Sequence, residues 1–300
     1  MKKMVFMVCF LLVTLSVTAQ GYTPESDFEV EQTEDGSGIE IVAYLGQSKI
    51  VNIPSVIAGL PVTRISHMAF WEAGLTSVAI PDSVVSIGWA AFSHNNLENL
   101  NLGAGIVSIE QMAFRRNRLT TLEIPLGVVT IEARAFEENL LTTVDIPDSV
   151  TEVGERAFSE NELIKLTLSK NLEYIGPSAF NRNFLTNIVL PGSVTHIGEE
   201  AFRLNRLTSI TIPNSITSIE NGTFSGNQLA SVILPNSIIF IGNYAFVQNN
   251  LTSLIIPDSV AFIGDYAFYE NPLTCVIIPN SVIYIGEEAF DDQVIIRYKQ

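Results

Sequence analysis

Apolar residues recur along this chain at a fixed period of 22 residues. Ten successive segments each open with a leucine, from Leu75 to Leu273, with no insertion or deletion between them. If that leucine is position 1, positions 4 and 6 are always aliphatic and in most segments have polar neighbours. This alternation predicts a short strand with one buried face in each segment. A period of this length indicates a stacked array, whose units bury their apolar faces against their neighbours.

The rest of the segment predicts where that strand ends. Position 7 is proline in eight of the ten segments, and proline lacks the N–H that a strand ladder needs. A turn follows, and then a second apolar pair at positions 10 and 13, such as Val260 and Ile263. Position 14 is glycine in seven segments and glutamate in three. Each segment therefore holds two short apolar stretches joined by a turn.

Two columns of repeated residues predict the interior of the array. Position 21 is asparagine in nine segments, from Asn95 to Asn271. A polar residue repeated within an apolar framework is usually buried and hydrogen-bonded, so we expect a ladder that satisfies backbone groups at the turn before each strand. Position 18 is phenylalanine in all ten segments, and burial of each ring contributes ~1.5–3 kcal/mol; the members are Phe92, Phe114, Phe136, Phe158, Phe180, Phe202, Phe224, Phe246, Phe268 and Phe290.

The consensus LxxLxIPxSVxxIGxxAFxxNx resembles the bacterial leucine-rich repeat of the BspA type, also called the Treponema type. The motif extends over residues 75–290, and a degenerate copy precedes it at Ile53–Phe70. The resemblance implies a mainly β repeat solenoid, a right-handed leucine-rich-repeat array with stacked parallel strands and short helical turns. It also implies a surface or secreted module for adhesion or protein recognition.

The regions outside the repeats predict an exported chain with capped ends. Residues 1–19 have a basic start, an apolar run and the small-residue site Val17-Thr18-Ala19, which is typical of a secretory signal peptide. The run is too short for a good transmembrane helix. Residues 20–49 read as an N-terminal β-hairpin cap, residues 50–290 as eleven coils (one degenerate and ten regular), and residues 291–300 as a C-terminal cap.

The charge of the chain narrows the classes of partner, and its cysteine content decides whether an intrachain disulfide is expected. The chain has 16 basic and 32 acidic residues and a net charge of −16, which becomes −18 when Lys2 and Lys3 leave with the signal peptide. So acidic a surface argues against nucleic acid and anionic lipid as partners, and we expect no membrane insertion. Cys275 is then the single remaining cysteine, so no intrachain disulfide is expected.

No arrangement of side chains points to catalysis. Equal positions of the repeat line up in an array, yet the three histidines fall at unrelated positions: His94 at 20, His196 at 12 and His67 in the degenerate copy. They are not expected to converge on one spot, as a catalytic or metal site requires. An acidic cluster at residues 287–292 reads as a solvated cap rather than a metal site. We therefore predict no catalytic, cofactor-binding or metal-binding residue.

Two outward-facing columns become apolar near the C-terminus. Position 5 is polar at Asn101, Glu123 and Asp145 but isoleucine in the last three segments, and position 12 becomes aromatic over the same segments. Contiguous exposed apolar patches usually mark interaction sites; the alternative is drift within a β-favouring strand whose side chains pack on each other. The candidate partner-binding residues are Ile233, Ile255, Ile277, Phe240, Phe262 and Tyr284.

These observations favour an exported binding protein that acts outside the cell, at its surface or in the periplasm. Its partner would be a protein, such as a host or cell-surface protein, bound in adhesion or recognition. The alternative is a structural component of the cell envelope that self-associates without a host ligand.

Overall fold

The computed structural model describes residues 21–299, so the predicted signal peptide lies outside the described residues. This part of the chain is a β-solenoid of about 12 stacked coils of about 22 residues. Among these residues the one helix is a short 3-10 turn, η1 (Glu25–Asp27). No helix of the described chain has the length and apolar content needed to cross a membrane.

The stack begins one coil before the degenerate copy. Strands β1 and β2 form an antiparallel pair, and β2 then runs parallel to β5 as the first rung of the solenoid. The Tyr44 ring stacks on Phe70 at a centroid distance of 5.4 Å and extends the phenylalanine column by one coil. The predicted count of eleven coils is therefore too low. The strands of this region are β1 (Phe28–Gln32), β2 (Ile39–Tyr44), β3 (Ile50–Asn52), β4 (Val56–Ile57) and β5 (Leu60–Ile65).

The first apolar stretch of the repeat forms a series of parallel strands. Within the described chain the series is present in seven of the ten regular segments and is reduced to an isolated bridge at Ile255 in the segment that opens with Leu251. The prediction of a strand in every segment is therefore too regular. The strands are β6 (Ser77–Ala79), β8 (Asn99–Asn101), β11 (Thr143–Asp145), β13 (Lys165–Thr167), β16 (Ser209–Thr211), β18 (Ser231–Ile233) and β21 (Cys275–Ile278). The last of these pairs with β23 (Ile295–Tyr298).

The second apolar stretch forms a two-residue strand in all ten segments, and these strands pair in parallel and in register within two sheets, the first ending at β15 and the second beginning at β17. The strands are β7 (Ser86–Ile87), β9 (Ser108–Ile109), β10 (Thr130–Ile131), β12 (Glu152–Val153), β14 (Tyr174–Ile175), β15 (His196–Ile197), β17 (Ser218–Ile219), β19 (Phe240–Ile241), β20 (Phe262–Ile263) and β22 (Tyr284–Ile285).

The Ala-Phe region of each described repeat is a chain of turns and contains no helix, so the short helical turns expected there are plain turns. Positions 16 and 20 adopt the left-handed conformation in coil after coil, as at Ala90 (φ 53°) and His94 (φ 58°), and a right-handed helix cannot continue through such residues. Their N–H groups donate instead to the next coil: Ala90 to Gln111 at 3.0 Å and His94 to Arg115 at 2.9 Å. Backbone hydrogen bonds therefore link neighbouring coils on this side too.

The phenylalanine column lies at the centre of the solenoid. Every ring from Phe70 to Phe268 is fully buried, and the rings stack nearly parallel, for example Phe158 on Phe180 at 5.7 Å and 4°. Phe290, in the last regular coil, is half-buried and stacks on Phe268 at 5.3 Å. The predicted core column is confirmed.

The asparagine ladder is also confirmed. All nine side chains are buried, and each repeats one pattern that Asn183 illustrates. Its Nδ2 donates to the carbonyl of Phe158 in the preceding coil at 2.9 Å and to that of Phe180 at 3.2 Å. Its Oδ1 accepts the N–H of Leu163 at 3.0 Å. One amide therefore satisfies three backbone groups that a tight turn would leave buried and unpaired.

Candidate interaction surface

The three predicted isoleucines form one exposed strip on the long-strand side of the solenoid. Ile233, Ile255 and Ile277 are 56–84% exposed. Ile255 bridges to Ile277 in parallel register, while the flanking Val276 and Ile278 are buried. Successive side chains of the strand therefore point to opposite faces, so Val276 and Ile278 point inward and Ile277 points outward. We call Ile233, Ile255 and Ile277 the isoleucine strip.

The three predicted aromatic residues form a second strip on the short-strand side. Phe240 pairs in register with Phe262, and Phe262 with Tyr284. They are 37–51% exposed, and Ile241 and Ile263 beside them are fully buried. We call Phe240, Phe262 and Tyr284 the aromatic strip.

The two strips belong to different sides of the coil. The isoleucine strip lies on the long-strand series and the aromatic strip on the sheet β17-β19-β20-β22. The turn at positions 7–9 separates them along the chain. They form two neighbouring bands along the last coils, each continuous from one coil to the next because stacked strands lie ~4.8 Å apart.

Two further apolar side chains beside the aromatic strip were not predicted. Ile239 and Ile283 occupy position 11 and are exposed. Their signal in the sequence is the adjacency of position 11 to position 12, although Val85 and Val107 at the same position near the N-terminus weaken the contrast between the two ends. These isoleucines widen the aromatic strip.

The N-terminal counterparts of the isoleucine strip are polar. Asn101, Glu123 and Asp145 hold position 5 and are exposed. A partner that covered these three N-terminal positions would have to desolvate two carboxylates, which is costly without a matching cation. The two ends of the solenoid therefore offer different chemistry on the same backbone.

Each histidine has a local contact of its own. The His67 Nδ1 accepts the N–H of Trp89 at 2.9 Å, and His196 stacks on Tyr174 at 4.9 Å. His94 lies between Ser93 and Arg116, and burial together with that guanidinium lowers the pKa of its imidazole. No group of three or more His, Cys, Asp or Glu side chains in the described chain is arranged to hold a metal ion.

A network of charges on the turn side was not predicted. Glu137 is buried and pairs with Arg115 at 2.5 Å and with Arg156 at 3.6 Å. Arg115 and Glu137 are 22 residues apart, so opposite charges at one repeat position were the signal that could have found the pair. These ion pairs join three successive coils.

Comparisons with known proteins agree with the repeat architecture. The family model described as "BspA type Leucine rich repeat region" matches six copies over residues 48–163, 107–230 and 173–297. No curated protein matches the chain.

Solved structures with a similar fold come from several bacteria. A leucine-rich repeat protein from Bacteroides ovatus shares 19% identity, with 91% of this chain and 98% of that chain covered and a TM-score of 0.51. A leucine-rich cell surface protein from Faecalibacterium prausnitzii shares 22% identity, with coverage of 93% and 94% and a TM-score of 0.52. The pneumococcal vaccine antigen PcpA shares 18% identity, with coverage of 91% and 86% and a TM-score of 0.52. At identities of 18–22%, these similarities show a common fold and nothing further.

Proposed function

The chain belongs to the BspA-type leucine-rich repeat family, and from this premise we propose that it is an exported, non-enzymatic protein that binds another protein through its C-terminal coils. Membership of this leucine-rich repeat family suggests a role in protein–protein interaction. The observation that carries the proposal is the pair of exposed apolar strips on coils whose N-terminal counterparts are polar. The partner is a protein at a cell surface, of the host or of another cell, and the role is adhesion or recognition.

Energetic considerations support the strips as the interface. An exposed isoleucine or phenylalanine that a partner covers contributes through the loss of apolar surface to water, at about 25 cal/mol per Å². Aromatic residues are also enriched at binding hot spots. In the aromatic strip, β19 pairs with β17 and β20, and β20 pairs with β19 and β22, so little backbone ordering is expected to oppose binding there.

A double substitution tests the interface. Ile255→Glu with Phe262→Ser places a charge in the isoleucine strip and removes a ring from the aromatic strip. We expect it to weaken capture of a surface-protein partner by at least about tenfold while the melting temperature stays close to that of the parent, because both side chains are exposed. The measurement is retention of labelled surface and matrix proteins on the immobilised chain.

The matched control is Glu123→Ser with Thr130→Ser, which alters the same two positions in an N-terminal coil and should leave retention unchanged. If the C-terminal double variant retains the partner normally, or unfolds, the strips are packing surface and the proposal is wrong. Sedimentation of the purified chain across concentrations tests the alternative, because a self-associating envelope component would form oligomers without a partner.

Export is the part of the proposal that rests on residues 1–19. The basic start, apolar run and small-residue site support cleavage before Gln20. N-terminal sequencing of the protein recovered outside the cytoplasm should therefore begin at Gln20. An intact Met1 in the membrane fraction would contradict this part of the proposal.

A further inference from the structure

One coil of the solenoid lacks two side chains that the other regular coils carry. The coil formed by residues 207–228 has Gly222 at position 16 and Gly226 at position 20. Both glycines adopt the left-handed conformation common to these positions, with φ of 62° and 65°. Their N–H groups donate to Asn243 and Val247 of the next coil at 2.9 Å. The backbone ladder is thus unchanged here, and what differs is the missing side chains.

Left-handed geometry does not by itself demand these glycines. The same two positions hold Arg182 (φ 55°), Glu200 (φ 56°) and Gln248 (φ 57°) in nearby coils, so the array tolerates a side chain there. At position 20 the Leu204 side chain of the preceding coil fills the space, since a Cβ on Gly226 would lie 2.7 Å from its Cδ2. At position 16 Gly222 lines a depression on the turn side of the solenoid. We call the depression around Gly222 the glycine notch.

One wall of the glycine notch is a tyrosine ring. Tyr244 follows Gly222 in the position-16 column and stacks on Tyr266 of the next coil at 5.1 Å and 1°. Tyr266 in turn meets the edge of Tyr269 at 5.5 Å. One face of the Tyr244 ring is therefore covered by Tyr266. The other lies on the side of Gly222, where a Cβ would lie 3.2 Å from the Cγ of Glu200. Tyr244 is exposed overall.

The opposite wall is acidic. Glu199 and Glu200 border the notch, and Glu270 borders its far end, against a single guanidinium, Arg203. Arg203 lies 3.7 Å from Glu200, and the Asn221 amide donates to Glu199 at 3.0 Å. Glu288 also contributes negative charge nearby, since its carboxylate, together with desolvation, raises the pKa of Tyr266 and Tyr269.

The size of the glycine notch is suited to the charged end of one arginine or lysine side chain. Glu200 and Tyr244 are two coils apart, which corresponds to about 10 Å between their backbones, and the depression has a volume of about 470 Å³. A cation needs to lie within about 6 Å of a ring centroid to be attracted by its π face. A planar guanidinium also stacks on an aromatic ring while its N–H groups reach carboxylates.

We propose that the glycine notch binds an arginine or lysine side chain from a basic segment of a protein partner, with the cation on the open face of Tyr244 and its N–H groups directed at Glu199 and Glu200. This site lies on the turn side of the coils, apart from the isoleucine and aromatic strips. It goes beyond the proposed function because it is a second surface with its own chemistry. Polysaccharide also stacks on tyrosine, but the excess of carboxylates favours a cation.

Fluorescence anisotropy with a labelled hexaarginine peptide tests the inference at low ionic strength. The parent should bind the peptide saturably, and Tyr244→Leu should weaken binding by about three- to tenfold, the range expected for one cation–π contact. Tyr244→Phe keeps the ring and should bind within about twofold of the parent. Gly222→Met places in the notch the residue that Met112 has at the same position. Its Cβ would lie 3.2 Å from the Cγ of Glu200, so the variant crowds both the carboxylate and the ring and should weaken binding as much as Tyr244→Leu.

The matched control is Tyr298→Leu, which removes another exposed tyrosine outside the notch and should leave binding unchanged. Equal peptide binding by the parent, Tyr244→Leu and Gly222→Met would mean attraction by net charge alone and would overturn the inference. Tyr244-dependent binding of maltohexaose with no Tyr244-dependent binding of hexaarginine would overturn it in favour of a carbohydrate site. None of these variants alters the two strips, so failure here leaves the proposed function untouched.

Discussion

Phe180→Ala is expected to lower the free energy of unfolding by about 3–5 kcal/mol, the range for truncating a fully buried aromatic residue. Phe180 has no exposed surface and stacks between Phe158 at 5.7 Å and Phe202 at 5.5 Å. Both neighbouring rings are held in their own coils by strand and turn hydrogen bonds, so the cavity cannot collapse easily. Urea denaturation followed by circular dichroism measures the loss.

Phe290→Ala provides the matched comparison at the end of the column. Phe290 is half-buried and stacks on Phe268 at 5.3 Å. Its truncation removes less buried area, and we expect a clearly smaller loss than at Phe180. A Phe180→Ala protein that unfolds at the parental urea concentration would show that the phenylalanine column does not form the core.

Asn183→Ala is expected to cost about 1–3 kcal/mol for each buried backbone group that it leaves unpaired. The amide serves the N–H of Leu163 and the carbonyls of Phe158 and Phe180. Because the site is 2% exposed, water cannot readily replace these bonds. The total effect should therefore be comparable with that of Phe180→Ala, even though the side chain removed is far smaller. The same urea experiment measures it.

Two variants sharpen the asparagine prediction. Asn183→Asp keeps the acceptor for Leu163 but turns a carboxylate oxygen toward the two carbonyls, so it should destabilise at least as strongly as alanine. Asn101→Ala removes an exposed asparagine and should change stability by less than about 0.5 kcal/mol. Parental stability of Asn183→Ala would contradict the ladder.

The repeat pattern was sufficient to predict the two interior columns. A constant period places equal positions above one another, so a phenylalanine or asparagine repeated at one position packs against the equivalent residue of the next coil. Phe180 and Asn183 could be assigned to the interior because nothing interrupts the 22-residue spacing. The first coil lacks this signal, since Tyr44 stands where the column has phenylalanine in later coils.

The turn side could not be predicted in the same way. Left-handed backbone is usually marked by glycine or asparagine, but here it is adopted by ordinary residues such as Arg182 and Tyr244. The backbone hydrogen bonds between neighbouring coils impose this conformation, and the local propensity of the residues does not predict it. The depression that Gly222 lines beside Tyr244 therefore emerges only once the conformation of the neighbouring coils is known.

The predicted exposure of the strip residues follows from strand alternation, and they are indeed exposed. Whether a partner covers them depends on the partner's surface, which this sequence does not encode. The ion pair between Arg115 and the buried Glu137 is not evident from the chain read in order, because residues 22 apart become neighbours only when the coils stack.

Hydroxyl-radical footprinting of the chain, alone and with the partner retained by the affinity column, tests the proposed interface most directly. The account predicts that the partner protects Phe240, Phe262 and Tyr284 from oxidation. Trp89 and Phe184, which are exposed to an extent similar to that of Phe240, should react equally in both samples. Protection of Trp89 and Phe184 with unchanged oxidation of the aromatic strip would contradict the proposed interface.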